Sequence, residues 1–453
     1  MQIKSPFLLK LPISKEVVSV LISALDSVDP YVVVKNNIDI TNEILSISNH
    51  SYSLRDIKRI YLIGAGKAAQ QMALGVKDKL HDHIISGLVV VKHVDPFIEN
   101  KLTPQIKTVI GNHPIPDKSS LESTRQLISL VNDLNEDDLV ICVISGGGSA
   151  LLTYPFERVG LNGLQNMTKS LLRCGAEIGE INTIRKHLDG IKGGGLARIV
   201  YPAQIVTLNL SDVIGDPLDM IASGPTVADP TTFADALIIV KKYDLKEEIS
   251  KKVFTRLTEG ACGNIPETLK PLDPILLNTR NIVVANNSIA AEAAMKAAQK
   301  AGFNSAVLTT FMKGEAQSVG SLMGNIVKVM EHGTMPLPKP SCMIIGGETT
   351  VTIKGRGKGG RNQEIALAVA IEIAGLERVC IVTLATDGED GPTDAAGAVV
   401  TGETIKLGRD LGLSAHQFLR NNDSYHYFDR LDSLIVTGPT GTNVNDLAFL
   451  FAY

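Results

Sequence analysis

Apolar positions along this chain fall into short β-branched runs separated by longer stretches with helical spacing. Residues 60–63, 87–91, 108–110, 138–144 and 204–208 read as strands. Between them, 67–80, 119–134, 161–175 and 183–188 place their apolar side chains three and four apart, as helices do. Strands alternating with helices of this length predict βαβ units and a parallel sheet. A second series follows: strands at 281–285, 306–309, 341–345, 349–354 and 379–385, with helices at 288–300 and after residue 361. Ahead of both series, 15–25 and 36–47 read as helices split at Asp29-Pro30. Residues 229–274 turn mostly helical and polar and end in a proline-spaced stretch, 266–274, and 333–340 is a further proline-rich connector. The expected class is therefore α/β with two α/β domains. An N-terminal Rossmann-like domain with a largely parallel sheet spans 1–240, a connecting helical or linker region 241–274 and a second α/β domain 275–453, with the active-site cleft between them.

Composition narrows the class. A chain of 453 residues with 44% hydrophobic and 20% charged residues can bury substantial cores in two or three domains. The net charge of −4 gives no electrostatic footprint for nucleic acid. Five cysteines without a CxxC pair point to reduced thiols rather than a zinc site. A proline-broken start and the lack of an 18-residue apolar run lead to a cytoplasmic expectation, with no membrane partner.

The chemistry concentrates in glycine-rich turns between strand and helix. The segment 354–361 interleaves glycines with Lys354, Arg356, Lys358 and Arg361 at a helix start. Free amides, the positive helix end and forked cations there suit phosphate or carboxylate. Gly64-Ala-Gly66-Lys67-Ala-Ala69 has the context of a dinucleotide turn. The next strand, however, ends in Lys92 where that fold wants an acid, so Lys67 reads as the useful group. Ser145-Gly146-Gly147-Gly148-Ser149 follows an apolar strand and reads as a nest of amides for an oxyanion; no G-x-S-x-G centres either serine. Arg185-Lys-His187 and Lys192 form a further basic segment, and Asp212 and Asp216 beyond a strand end are candidate Mg²⁺ ligands. Asp-Gly turns at Asp387-Gly388 and Asp390-Gly391, and His113 in a proline turn, are equally compatible with structural roles.

Taken in order, these pieces resemble the class II glycerate 2-kinases, the family with a C-terminal MOFRL-type domain. The matching segments include Ser145-Gly-Gly-Gly-Ser-Ala150, Arg185-Lys-His-Leu188, Ile221-Ala-Ser-Gly-Pro-Thr226, Gly346-Gly-Glu-Thr349, Gly359-Gly-Arg-Asn-Gln-Glu364 and Thr437-Gly-Pro-Thr-Gly-Thr-Asn443. The resemblance implies ATP-dependent phosphorylation of the C2 hydroxyl of D-glycerate with a divalent cation such as Mg²⁺, and places the family's catalytic lysine and arginine on Lys67 and Arg361. With the residue reading, it leads to a full set of expected roles. Lys67, Arg361 and Asp212 are catalytic, Ser145 to Ser149 and Lys192 bind substrate, and Asp212 and Asp216 hold metal. Gly64, Gly66, Asn209, Gly359, Gly360 and Asp387 contact the nucleotide. The expected partners are D-glycerate and ATP, and a homodimer is admitted. The chain departs from the family at Gly194-Gly195-Leu, where an arginine is missing, and at Asn112, inserted before His113. Family members that carry hydroxypyruvate reductase labels keep an NAD(P)H-dependent reductase as the alternative.

Overall fold

The computed structural model describes residues 3–102, 104–333 and 337–453, so residues 334–336 of the expected 333–340 connector lie outside the described residues. The chain divides into two compact units. One is Pro30–Val284; the other joins the residues up to Asp29 with Ala285–Tyr453. This boundary differs from the expected 1–240 domain in two respects. First, the helix Ser14–Asp26 packs on the helix Asn287–Lys300, and Thr442 Oγ1 donates to Val28 O at 2.8 Å. Second, the helical connecting region 241–274 is packed into the Pro30–Val284 unit. The helices Phe233–Lys242 and Lys251–Ala261 share a core with Gly160–Arg173 and Ile178–Leu188, built around Phe233, Val253, Leu257, Leu164 and Ile184.

The Pro30–Val284 unit opens with a small antiparallel sheet, β1 (Ile38–Thr41), β2 (Ile44–Ile47) and β3 (His50–Ser53). This corrects the helix expected over 36–47. Ile38 and Ile40 alternate with polar residues, and Asn42 and Glu43 both take positive φ, 53° and 62°, which closes a hairpin pairing Thr41 with Ile44. The main sheet consists of β4 (Arg59–Ala65), β5 (Ile84–Val91), β6 (Ile106–Ile110), β7 (Asp138–Ile144), β8 (Gln204–Leu210) and β9 (Thr279–Ala285), ordered β6-β5-β4-β7-β8-β9. β4 pairs in parallel with β5 and β7, β5 with β6, and β7 with β8. Every residue of β7 is buried, as expected of a central strand covered on both faces. Because these strands run the same way, the turns after β4, β5, β6, β7 and β8 collect at one edge of the sheet. That edge is where open α/β sheets hold their ligands.

The other unit carries β10 (Asn304–Met312), β11 (Ser341–Gly347), β12 (Val379–Ala385), β13 (Gly397–Thr401), β14 (Leu434–Ile435) and β15 (Asp446–Ala452). Their order is β10-β11-β15-β12-β13-β14, and the last strand inserts antiparallel to both β11 and β12. The run 349–354, expected as a strand, is irregular chain with a single bridge at Thr350 to Glu315; Thr352 N and Oγ1 both donate to the Glu315 carboxylate at 3.0 Å. Among the described residues no single helix is long and apolar enough to cross a membrane.

Candidate active site

In the Pro30–Val284 unit, the turns after β4 and β7 are built into each other. Ser145 N donates to Ala65 O at 3.1 Å, Lys67 N to Gly146 O at 2.9 Å, and Ala68 N to Ser145 Oγ at 3.0 Å. Ser145 is thereby spent on holding the two turns together. The three glycines exist for room as well as for shape. A β-carbon on Gly146 would stand 2.3 Å from Oδ2 of Asp212. Gly147 takes φ +85°, and a β-carbon there would lie 3.1 Å from His113 Cδ2, 3.4 Å from its Nε2 and 3.6 Å from Lys67 Cγ. Lys67, His113 and Asp212 thus line the 145–149 loop, from three other turns of the same sheet edge.

The far end of the loop is fastened from below. Ser149 Oγ bonds Ser223 Oγ at 2.7 Å, and Ser223 Oγ donates to Asn182 Oδ1 at 3.1 Å. Ala222 and Ser223 both hold left-handed φ, 49° and 63°, a conformation a non-glycine residue keeps only where its surroundings enforce it. Lys192 is the other fastening. Its ammonium donates to Ser149 O at 2.8 Å and Leu152 O at 2.5 Å and pairs with Asp189 at 3.4 Å. An ammonium has three N–H groups, and those three acceptors use them. Lys192 therefore supports the loop from within the core, with its three N–H groups already directed at protein acceptors. Asn209 is likewise committed, donating to Thr207 O and Ile282 O, both at 3.4 Å.

Three cations converge on one member of this edge. Lys67, Lys92 and Arg185 all act electrostatically on His113. Burial foremost, and then these three cations, hold His113 below the ordinary histidine value. Its imidazole is accordingly neutral at neutral pH, and folding disfavours its protonation. The unfolded chain then binds the proton more readily, so stability is intact above the unfolded value near 6.5 and declines as pH falls towards the folded one. Melting temperatures from pH 7.5 to 5 should therefore fall less steeply for His113→Gln than for the parent. Parallel curves would mean that His113 does not sense this cluster.

A divalent cation can be tested against the donors here. Among the described residues there is no group of three or more His, Cys, Asp or Glu side chains able to hold a metal unaided. Asp212 and Asp216 are half-buried oxygen donors on one turn, in which Asp216 N bonds Val213 O. One or two carboxylates suffice for Mg²⁺ when phosphate and water complete its shell. The donor chemistry fits that mode.

In the other unit the structure reassigns the basic glycine segment. Its amides, expected to be free, are taken. Lys354 N and Gly355 N donate to Asn422 Oδ1 at 2.7 and 2.9 Å, Arg356 N to Asn421 Oδ1 at 3.2 Å, Gly357 N to Asn421 O at 2.9 Å and Lys358 N to Asp423 Oδ1 at 2.9 Å. Gly359 packs on Ser424 and Gly360 on Asp390. Nor is the start of the helix Arg361–Glu372 open, because Asp390 accepts from Asn362 N at 3.0 Å and Gln363 N at 2.8 Å. Burial pushes Asp390 up to about 7, against the pull of those amides. Asp387 accepts from Glu389 N at 3.1 Å within its own turn.

Arg361 itself is clamped. Its Nε and Nη2 reach the two oxygens of Asp446 at 2.5 and 3.2 Å, and its Nη1 reaches Glu348 Oε1 at 2.5 Å. Burial alone would lower its value, but Asp446 and Glu348 hold it above the ordinary one. Asp446 is fully buried; burial raises it to about 6 while Arg361 pulls it down. Sequence reasoning flagged the basic segment containing Arg185 without singling that residue out, and it saw Asp446 only as the end of the acid-and-glycine turn from Thr437, not as the partner of Arg361. Glu348 and Asp390 were visible only as members of acid-and-glycine turns.

Comparison with known proteins gives this geometry its family. Residues 16–258 match a family described as "Domain of unknown function (DUF4147)", and residues 341–446 match the MOFRL family. The chain is 41% identical over 425 residues to a glycerate 2-kinase of Pyrococcus horikoshii, covering 94% of each. It is 42% identical to a D-glycerate 2-kinase of Thermotoga maritima over 86% of this chain and 90% of that protein. The crystal structure of a glycerate kinase from Thermotoga maritima superposes with a TM-score of 0.86 at 38% identity, covering 97% of this chain and 99% of that one. With both domains matched in order and relatives this similar along nearly its whole length, the chain belongs to the glycerate 2-kinase family that pairs a DUF4147 domain with a MOFRL domain.

Proposed function

We propose that this protein transfers the γ-phosphoryl group of ATP to the C2 hydroxyl of D-glycerate, giving 2-phosphoglycerate. The observation that carries the reading is the gathering of three cations around the 145–149 loop. Lys67, Lys92 and Arg185 all act on His113, which lines that loop, while Asp189 is already taken by Lys192. Such an edge asks for an anion, and both reactants are anions.

Phosphoryl transfer is won mostly by positioning and by offsetting charge on the transferring group. In this reading Lys67 and Arg361 offset that charge, and the loop amides around Gly147 orient an oxyanion of the substrate. Asp212 orients the hydroxyl or, with Asp216, holds a divalent cation. When bound, that cation would neutralise phosphate charge and fix the phosphate's orientation. Gly64, Gly66, Gly359, Gly360 and Asp387 remain proposed nucleotide contacts through backbone proximity.

Purified protein given ATP, Mg²⁺ and D-glycerate should release ADP and accumulate 2-phosphoglycerate, resolved from the 3-isomer by ³¹P NMR. Oxidation of NADH with hydroxypyruvate, without ADP release from glycerate, would overturn this reading in favour of a reductase. Omitting Mg²⁺ should abolish turnover.

A further inference from the structure

Arg185 is a desolvated cation at this edge that the protein itself leaves without an acceptor among the described residues. Among the described residues it has no hydrogen-bond or ion-pair partner, whereas the other inward-facing arginines do. Arg59 binds Asp138, Arg361 binds Asp446 and Glu348, and Arg256 donates to His187 O while stacking 3.3 Å from the ring centroid of Phe156. Burial pulls Arg185 below the usual guanidinium value, and only Asp189 acts against that. Asp189 is a distracted neighbour: it pairs with Lys192 at 3.4 Å and accepts from Tyr154 N and Ile191 N at 3.1 Å. A desolvated guanidinium without an acceptor is costly, and a bound oxyanion removes that cost.

The helix Ile178–Leu188 fixes where this cation sits. Asn182 lies one turn before Arg185 on the same helical face. Asn182 is tied through Ser223 to Ser149, at the end of the glycine loop. That face therefore points at the loop, and Arg185 comes within electrostatic range of both His113 and Lys192. The fork of N–H groups on a guanidinium matches a carboxylate in two-point contact, which a lysine cannot reproduce.

We propose that Arg185 binds the carboxylate of the acceptor substrate and so selects hydroxy acids over neutral polyols. This rests on the glycerate reading above. The shared chemistry is an oxyanion, and a nucleotide phosphate would satisfy the same fork, so the test must separate the two. In Arg185→Gln, KM for D-glycerate should rise roughly 10–100-fold, the range for losing charged hydrogen bonds, with KM for ATP unchanged. Arg185→Lys should recover part of that loss. The preference for D-glycerate over glycerol should shrink in both. Calorimetric titration of D-glycerate, without turnover, should show binding to the parent and binding weakened by a similar factor in Arg185→Gln. A rise in KM for ATP instead would put the arginine on the nucleotide and overturn the proposal. So would unchanged constants in a variant whose circular dichroism matches the parent. If Arg185→Gln does not fold, Arg185→Lys decides alone. Should the parent bind D-glycerate in an Arg185-dependent manner yet form no phosphoglycerate, the functional reading fails and this one stands.

Discussion

Arg361→Ala is expected to destabilise the unit built on β10–β15 by about 3–5 kcal/mol, the usual cost of leaving one member of a buried ion pair behind. The member left behind is Asp446, fully buried at the start of the all-buried strand β15 and held by Arg361 through both oxygens. Without the guanidinium, its carboxylate would have to protonate or strand a charge between β11 and β12. The check is urea or thermal unfolding of the full chain at pH 7, followed by the same measurement on Arg361→Ala/Asp446→Asn. Removing the stranded charge should return a good part of the loss, since the two positions form one interacting pair. A single variant as stable as the parent would show that the clamp contributes nothing. Arg361→Lys divides the structural role from the proposed catalytic one. A lysine keeps the charge but cannot span both Asp446 oxygens and Glu348 at once. Stability should fall less than in the alanine variant while turnover stays low.

That clamp also shows why the site was only partly legible beforehand. The sequence reading placed Arg361 at a helix start among glycines, and it lies there. What the glycines were for could not be read. Whether an amide in 354–358 is free depends on whether an acceptor arrives from elsewhere, and the acceptors come from residues 421–423, more than sixty positions on. The same limit applies to the helix start, capped by Asp390 rather than by a neighbour in sequence. Lys192 looked like a ligand contact because it heads a basic, glycine-rich segment, Lys192-Gly-Gly-Gly195. Its burial against Ser149, Leu152 and Asp189 is set by how the 145–149 loop folds over it.

Local patterns carried further where the periodicity was strong. β4, β7, β8 and β12 lie on runs whose character leaves little choice. The 36–47 segment failed because two four-residue strands joined by a tight turn are too short to separate from one helix by spacing alone. The first twenty-nine residues failed for a different reason. Chain order carries no information about which core an amphipathic helix will join, and Ser14–Asp26 packs against Asn287–Lys300.

Lys67→Ala is expected to lower kcat by on the order of 10²–10³, about 3–4 kcal/mol of barrier, as for the loss of a single electrostatic stabiliser. The substitution is clean because the backbone of Lys67, not its side chain, holds the loop: Lys67 N donates to Gly146 O, and alanine keeps that bond. The side chain runs along Gly147 with its Cγ beside the glycine's open face, and no side-chain hydrogen bond within the protein is lost with it among the described residues. Folding stability should therefore stay within about 0.5 kcal/mol of the parent, as for substitutions away from structural features. If the ammonium acts on charge that builds in the transition state, KM for both substrates should change far less than kcat. An independent readout sits next door. Lys67 acts on His113 more strongly than Lys92 or Arg185, so its removal should let the His113 titration, followed by NMR, move up towards the ordinary value. A variant that turns over like the parent while His113 shifts as expected would leave Lys67 in the cluster and out of the chemistry. The charge on the travelling phosphoryl group would then have to be met by Lys92 or Arg185.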